Sequence, residues 1–541
     1  MLQNAHLGLW FMEEVETFIS KTENLHPDFR VWITAEPHSQ FPLGLLQMSI
    51  KMTNEPPVGM RAGLQASYNW INQDTLDAVP RQEWRQLLFI TCFLHSLLQE
   101  RRKFGAIGWN IPYDFNHADL SACIAILKNH ISDMDARKLS EPSWQTVRFM
   151  IGTIQYGGKI TDEFDKQLMD TYTEKLFRKE MLERNAELSP GYKIPDSSDI
   201  DEFRKEVSKL ADQDQPELFG LHANADFSFR ALQVNRTLNT IMDTMPRTSG
   251  EEEGKQSAVL SAETEVSKQC EDLLSRMPQE ISADHVHERL KKHSGGSAQP
   301  LTVFLRQEID RLNYVISIAS STLNSLRQAL AGFLSLTSDL TSAMDAIRSG
   351  RAPPAWLAKS WEANSLGTWF SNLQQRHEQL YSWLHNGRPK SYWLGGFFNP
   401  QGFLTAVRQE VTRKHSADKW SLDDVMMTSD VTHPPRDPDL LKDAPSEGVY
   451  VHGLYLEGAS WSGKENSLKD PDPKRLFTPL PVVHISGCLS KDRKRDWCFA
   501  APVYRTKDRT SDRFVTTLDL KTDEEPSKWT LRGAAVVMST E

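Results

Sequence analysis

Residues 395–410 read GGFFNPQGFLTAVRQE. The glycine pair, the Asn-Pro break and a third Gly-Phe step describe a turn that feeds a helix over TAVRQEVTRKH. Phe397, Phe398 and Phe403 are too apolar to leave in water, since burying each is worth ~1.5–3 kcal/mol. Something must cover them, and the flanking sequence supplies a candidate on each side.

Upstream lies the most regular signal in the chain. Leu305, Ile309, Leu312, Ile316, Ala319, Leu323, Leu326, Leu330 and Phe333 follow a 4-3 spacing that resumes at Leu340, Met344 and Ile347, a heptad seam over 40 residues long. Val259, Val266, Cys270, Leu273 and Met277 make a shorter seam, and Leu366, Trp369, Leu373, Leu380 and Leu384 a third. The spacing predicts an intramolecular three-helix bundle, with a dimerising coiled coil as the alternative. Downstream of Thr432 the period becomes two. GVYVHGLYLEG (448–458), PLPVVHIS (479–486), CFAAPVYRT (498–506), FVTTLDL (514–520) and WTLRGAAVVMS (529–539) read as strands of a small antiparallel β-barrel or sandwich. The quoted turn falls between the two, where its aromatics can plug the seam between bundle and barrel.

Further out, QEWRQLLFITCFLHSLLQERRKF (82–104) opens a helical region with an aromatic loop, KFGAIGWNIPYDF (103–115), behind it. RTSGEEEGKQS (247–257) and KKHSGGSAQP (291–300) mark loops. At the start, VWITA (31–35) and FPLGLLQMSIKMTNEPP (41–57) suggest strand, helix, strand and turn, so the sequence is expected to begin inside a sheet unit whose early strands are missing.

The 541 residues are too many for one core and imply about three compact units. Hydrophobic residues at 39%, charged residues at 25% and a mean hydropathy of -0.50 describe a wet globular protein. A net charge of -10 argues against general affinity for nucleic acid or anionic lipid. The basic run Lys491, Arg493, Lys494, Arg495 is interrupted by Asp492 and reads as a solvated loop. Five scattered cysteines without a C-x-x-C pair read as free thiols in a reducing compartment. The longest apolar run, LLFITCFL (87–94), is too short to span a bilayer, and a cytosolic or cytoskeletal protein is expected.

A search for chemistry finds imitations. GTIQYGGKI (152–160) lacks the spacing and the hydroxyl of a phosphate loop, and no strand leads into it. HVHERLKKH (285–293) only imitates a zinc-protease helix, leaving His285, His287 and His293 as solvated residues. GASWSG (458–463) has one residue too many for a nucleophile elbow, and Trp461 reads as a barrel cap. Asp423-Asp424 and Asp523-Glu524-Glu525 lack the spacing of catalytic carboxylate pairs. No catalytic, cofactor-binding or metal-binding residue is assigned.

The longer motifs carry a resemblance. LQNAHLGLWFMEEVE (2–16), FPLGLLQMSIKMTNEPPVGMRAGL (41–64), QERRKFGAIGWNIPYDFN (99–116), QYGGKITDEFDKQLM (155–169), ELFGLHANADF (217–227), FLRQEIDRLN (304–313), GGFFNPQGFLTAVRQE and EGVYVHGLYLEGASW (447–461) together resemble the C-terminal end of a dynein heavy chain. NGRPKSYWLGGFFNP (386–400) and KWTLRGAAVV (528–537) resemble the outer-arm axonemal type, while Ala5 stands where that pattern has cysteine. The resemblance implies an α+β multidomain protein. Residues 1–75 would be the back half of a sixth AAA+ module that binds no nucleotide, and 76–215 its helical lid. Residues 216–541 would be the C-terminal domain, a long-helix bundle over 216–432 and a β-barrel over 433–541. It further implies a ring-closing, regulatory part of a microtubule motor, with ATP and magnesium held in earlier modules and none in these residues, which would be inactive alone. Phe397, Phe398, Phe403, Trp109 and Tyr113 would be structural anchors between subdomains. Implied partners are the rest of the motor ring, dynein intermediate and light chains and, through the parent complex, microtubules, with no nucleic acid and no membrane, in cytoplasm and ciliary axoneme. A stand-alone scaffold derived from a truncated heavy chain is the alternative.

Overall fold

The computed structural model describes residues 1–22, 26–38, 40–52, 56–137, 139, 141–183, 186–244, 256–294, 299–432, 437–493 and 497–540. Two compact units divide the protein, Met1–Pro57 and Val58–Glu541. The first holds helices α1 (Leu9–Lys21) and α2 (Leu43–Met48) around a core of Ala5, Met12 and Leu45. The strand expected over 31–35 is reduced to one bridge, Leu2 to Ile33, held by Leu2 N–H to Trp32 O (2.8 Å) and Thr34 N–H to Leu2 O (2.9 Å). Among the described residues of this unit no second strand follows α2. With so few apolar residues inside, Trp10 (73% exposed), Trp32 (63%) and Ile50 (94%) stay in solvent.

In the second unit a helical layer comes first: α3 (Met60–Trp70), α4 (Gln73–Leu76), α5 (Gln82–Arg101), α6 (His117–Arg137), α7 (Trp144–Arg148), a π-helical turn over Phe149–Tyr156, α8 (Glu163–Leu176), the hairpin β1 (Glu187–Ser189) and β2 (Tyr192–Lys193), and α9 (Ile200–Ser208). Helix α5 is apolar on every side, and every residue from Leu87 to Leu98 is buried. A helix without a polar face must be central, and α3, α6 and α8 pack around it. Residues 60–71 therefore belong to this layer: Tyr68 stacks on Phe203 (5.7 Å between centroids), and the Arg204 guanidinium donates to Tyr68 O (3.1 Å) and Ile71 O (3.3 Å).

A second helical layer follows: α10 (Ala225–Thr244), α11 (Gln256–Arg276), α12 (Ala283–Ser294), α13 (Pro300–Leu330), α14 (Ser338–Arg348), α15 (Pro354–Leu357) and α16 (Leu366–Asn386). Pro300 opens α13 where a missing N–H costs nothing, and the seam from Leu305 to Leu326 is buried against α11, α14, α16 and the later α17 (Pro400–Lys414). The seam is shorter than its spacing predicts. The helix stops at Leu330, Gly332 takes a φ of 82°, Phe333 is 85% exposed, and Thr337 caps a new helix. Val266, Cys270 and Leu273 are buried in the second seam and Trp369, Leu373, Leu380 and Leu384 in the third; the side chain of Val259 and most of 247–257 lie outside the described residues.

The aromatics of the quoted turn are covered from both sides. Strand β3 (Tyr392–Trp393) leads through one 3-10 turn into α17, whose first turn is capped by Asn399 Oδ1 accepting from Gly402 N–H (3.1 Å). Phe397 and Phe403 are buried with ring centroids 4.8 Å apart; Phe304 of α13 meets them at 5.1 and 5.4 Å, and Tyr392 meets Phe403 at 4.9 Å. Helix α17 then carries this cluster to the sheets, packing on α13 on one side and on strands on the other.

Those strands are β4 (Val425–Val431), β5 (Val449–His452), β6 (Tyr455–Glu457), β7 (Ser460–Ser462), β8 (Ser467–Lys469), β9 (Phe477–Pro479), β10 (Val483–Leu489), β11 (Cys498–Tyr504), β12 (Phe514–Lys521) and, after α18 (Pro526–Leu531), β13 (Ala535–Val537). They do not close into a barrel. One sheet has the order β3-β5-β10-β4 and the other β12-β11-β13-β6-β9, with β7-β8 a separate hairpin. The edges β4 and β12 meet through a side chain: Ser429 Oγ accepts from Asp519 N–H (2.7 Å) and donates to Asp519 O (3.4 Å), so among the described residues no main-chain ladder joins the sheets there. The stretch 448–458, expected as one strand, is broken at Gly453. Its φ of 76° turns the chain from one sheet to the other, and a Cβ there would collide with the Trp393 ring. WTL (529–531) is the end of a helix rather than a strand, started by Pro526 and held by buried Trp529.

Hydrogen exchange on the full 541 residues is expected to be fastest over residues 1–57 and slowest in β10 and β11, because burial is smallest in the first and those two strands are paired on both sides. Protection of 1–57 equal to that of the sheets would contradict this. Glu308 of α13 accepts from Phe398 N–H (2.6 Å) and Asn399 N–H (3.0 Å). Glu308→Ala should lower local stability across 397–404 by roughly 3 kcal/mol, since hydrogen bonds to a charged acceptor contribute about 1.5–3 kcal/mol each, measurable as faster exchange of those amides.

Candidate functional site

The residues with the most unusual chemistry gather where the first helical layer meets the sheets. Arg101 ends α5 with its side chain fully out of water. Its Nε donates to Gly108 O (2.7 Å), and its other nitrogens donate to Tyr172 Oη (2.5 Å), Phe219 O and Leu531 O (2.9 Å). One guanidinium thus ties the loop after α5, helix α8, the turn before α10 and the end of α18. The fixed fork of five donors is what makes arginine fit four acceptors at once. Burial pulls its pKa below the ordinary value, and the Tyr172 hydroxyl opposes that shift.

The loop that Arg101 holds sends one side chain across. Asn110 Nδ2 donates to Asp162 Oδ1 (3.0 Å) and to Tyr504 Oη of β11 (2.9 Å), while its backbone N–H donates to Asp165 Oδ1 (3.1 Å). Asp165 also accepts from Ile111 N–H (3.2 Å); burial outweighs these bonds and lifts its pKa to about 6. On the sheet side Arg509 donates to Glu457 Oε2 (2.6 Å) and Gly533 O (2.8 Å), an ion pair 3% and 9% exposed. Gly533 has a φ of 63°, and a Cβ there would collide with Ile107 O, so only glycine lets the two layers approach. A second clamp lies nearby. Asn224 Nδ2 donates to Asp472 O (2.9 Å) and Arg475 O (3.0 Å), its Oδ1 accepts from Lys474 N–H (2.9 Å), and Arg532 donates to Leu221 O (2.6 Å).

This junction is not a pocket for chemistry. The space inside it is about 40 Å³, far below the roughly 300–1,000 Å³ of small-molecule sites. Every polar group named above points at another part of the protein. What the arrangement can do is transmit force: charges held by several backbone carbonyls leave no low-energy way to slide one layer over the other.

The motifs singled out in the sequence fall around it. Trp109 is buried with Nε1 donating to Leu98 O (3.0 Å), and Tyr113 accepts from Asp162 N–H (3.2 Å); their rings pack on each other and on Phe115. Both anchor the loop to its own layer, and Asn110 makes the crossing. Phe397 and Phe403 anchor α13 to the sheet layer, and Phe398 faces Trp361 (5.9 Å) and Arg376 (5.7 Å). Buried Arg376 lies over the Trp361 ring at 4.2 Å, and burial lowers its pKa to about 9.

The imitations also resolve. Lys159 of GTIQYGGKI pairs with Asp119 (2.6 Å) rather than facing an open loop. His285 is not simply solvated, because its Nε2 lies 2.8 Å from His385 Nε2, whereas His287 is exposed and the side chain of His293 lies outside the described residues. Arg493 is 8% exposed in an ion pair with Asp519 (2.6 Å), against the solvated reading; Lys494 and Arg495 lie outside the described residues. Cys92, Cys123 and Cys270 are buried thiols whose pKa values burial raises. Sequence reasoning does not single out Arg101, Asn110, Asn224, Glu308 or Arg376. The signal available for Arg101 is a cation ending a helix with no polar face.

Asp165 sets a pH dependence with a definite sign. Its folded pKa, about 6, exceeds the ordinary carboxylate value near 4, so its contribution is complete below pH ~4 and is lost as pH rises through ~6. The melting temperature of Asp165→Asn relative to the unmodified protein should therefore rise between pH 4 and 6 and level off above; parallel curves would exclude this assignment.

Comparison with known proteins agrees with the motifs. The family model for the C-terminal domain of dynein heavy chains matches residues 231–538, that for the dynein heavy chain AAA lid domain matches 84–225, and that for the dynein heavy chain region D6 P-loop domain matches 1–53. The dynein gamma chain of the flagellar outer arm of Chlamydomonas reinhardtii is 55% identical over 548 residues, covering 100% of this protein and 12% of the relative. Dynein axonemal heavy chain 5 of Mus musculus is 42% identical over 99% of this protein and 11% of its own length, and dynein axonemal heavy chain 8 of Homo sapiens 43% over 99% and 12%. The 541 residues thus span about an eighth of the length of these relatives. They belong to the dynein heavy chain family, as the C-terminal region of an axonemal heavy chain.

Proposed function

We propose that this region is the ring-closing, regulatory end of an axonemal dynein motor, contributing to ATP-driven, minus-end-directed movement on microtubules and so to ciliary beating. The observation that carries the proposal is the Arg101 junction, in which one buried cation joins four segments of two layers. A joint of this kind passes a displacement of the first helical layer to the sheets as rigid-body motion. On this reading residues 1–75 are the back half of the sixth ring module, 76–215 its lid, and 216–541 the C-terminal domain, helical to 432 and β-rich from 433, lying against the ring. ATP and magnesium would act in earlier modules, with no residue of this region making or breaking bonds. The partners would be the rest of the ring and, through the parent complex, intermediate and light chains and microtubules, in the cytoplasm and the ciliary axoneme. The names of the relatives, all axonemal or flagellar dynein chains, support this placement and do not favour a stand-alone scaffold.

The test belongs in the full-length heavy chain. Arg101→Ala should lower microtubule-stimulated ATP turnover and gliding velocity several-fold while nucleotide binding by the earlier modules is retained. Tyr504→Phe, which removes only the hydroxyl that Asn110 donates to, should give a smaller loss in the same direction. Unchanged turnover and velocity in both would overturn the proposal. Calorimetric titration of the 541-residue protein with ATP and magnesium should show no saturable binding.

A further inference from the structure

We propose that His285 and His385 form a binding site for a divalent cation of the zinc class, joining α12 to α16 within the second helical layer and separate from the Arg101 junction. The two residues are a hundred positions apart, yet their Nε2 atoms converge to 2.8 Å, with ring centroids 4.9 Å apart and planes tilted by 31°. Both rings are half-buried, so an ion can reach them from solvent.

The tautomer of His385 follows from its other nitrogen. Nδ1 lies 2.9 Å from Tyr381 O, and a carbonyl only accepts, so Nδ1 carries the proton and Nε2 presents a lone pair. Histidines that ligate metals almost always have this arrangement, one ring N–H spent on a carbonyl and the other nitrogen free to coordinate. The Tyr381 ring stacks on the same imidazole at 3.9 Å and fixes its plane. In the ion-free state His285 donates its Nε2–H to that lone pair; moving this proton to its own Nδ1 through solvent offers a second ligand without changing the net charge. Tetrahedral zinc, with Zn–N near 2.0–2.1 Å, places two ligand nitrogens roughly 3.3 Å apart, so to bind it the pair parts by about 0.5 Å and each ring swings until its lone pair turns from the other nitrogen to the ion.

The approach is held from outside the pair. His377, two turns before His385 on α16, donates from Nε2 to Gln279 O (3.0 Å), and Gln374 donates to Arg276 O (3.2 Å), so the segment that carries His285 is laid along α16 in fixed register. Among the described residues no third histidine, cysteine or carboxylate joins the pair, and water completes the coordination shell. Imidazole pairs of this kind suit zinc, copper and nickel and leave magnesium and calcium unbound.

Titration of the 541-residue protein with Zn²⁺ near neutral pH should show a saturable site that is weakened at least tenfold in His285→Ala and in His385→Ala and kept in His377→Ala. Magnesium should not compete. Because a variant can fail to fold, the unmodified protein supplies an independent readout: Zn²⁺ should protect His285 and His385, and not His287, from carbethoxylation by diethyl pyrocarbonate, located by mass spectrometry. Zinc binding of equal strength in folded His285→Ala and His385→Ala, or modification of both histidines at the same rate with and without zinc, would overturn the site.

Discussion

A charge without water must be surrounded by dipoles, and in this protein that requirement fixes where the layers sit. Arg101 has no solvent, and its partners are a tyrosine hydroxyl and main-chain carbonyls, drawn from four separate segments. Because a buried cation left without acceptors costs several kcal/mol, these segments must arrive together or the helix end cannot be buried at all. The fold at the junction is therefore decided by an all-or-none polar condition, with the apolar core of α5 providing the driving force behind it.

Glu308 poses the same condition with the sign reversed. Its carboxylate satisfies two backbone N–H groups of the aromatic turn, and burial raises its pKa against those bonds. The turn between β3 and α17 is rich in phenylalanine and poor in ladder partners, so a carboxylate supplied by the long helix takes the place of a ladder. Arg376, inside a box of Trp361, Trp393 and Phe398, completes the set of buried charges that border this turn. Both helical layers are thus joined to the sheets through ions that have exchanged water for backbone dipoles and aromatic faces.

Much of the architecture is legible in the sequence because it rests on periodicity. The 4-3 spacing from Leu305 to Leu326 and the apolar run of α5 report burial on one helix, and local sequence determines both. The seam cannot be read past Leu330 because Phe333 keeps the spacing while Gly332 breaks the helix, and spacing carries no information on φ. The barrel fails for a related reason. Alternation announces strands but not their closure, which hangs on Ser429 occupying the position of a ladder partner and on Gly453 dividing one strand between two sheets. The junction is hardest to see: Arg101, Asn110 and Asn224 act through carbonyls of distant segments, and main-chain acceptors leave no mark on the residue types that carry them. The motifs GWNIPYDF and ELFGLHANADF surround the region without indicating which side chain crosses.

The side-chain joint at Ser429 has a structural corollary. Where two sheets share a continuous ladder, a one-residue insertion in either edge shifts the register of both. Here β4 and β12 meet through side chains, the Ser429 hydroxyl on the Asp519 backbone and an ion pair between Asp430 and Lys521 (3.5 Å), so each sheet keeps its own register, and a length change in one need not propagate to its neighbour. The two leaves can diverge in outline among related proteins while the side-chain joint between them is kept.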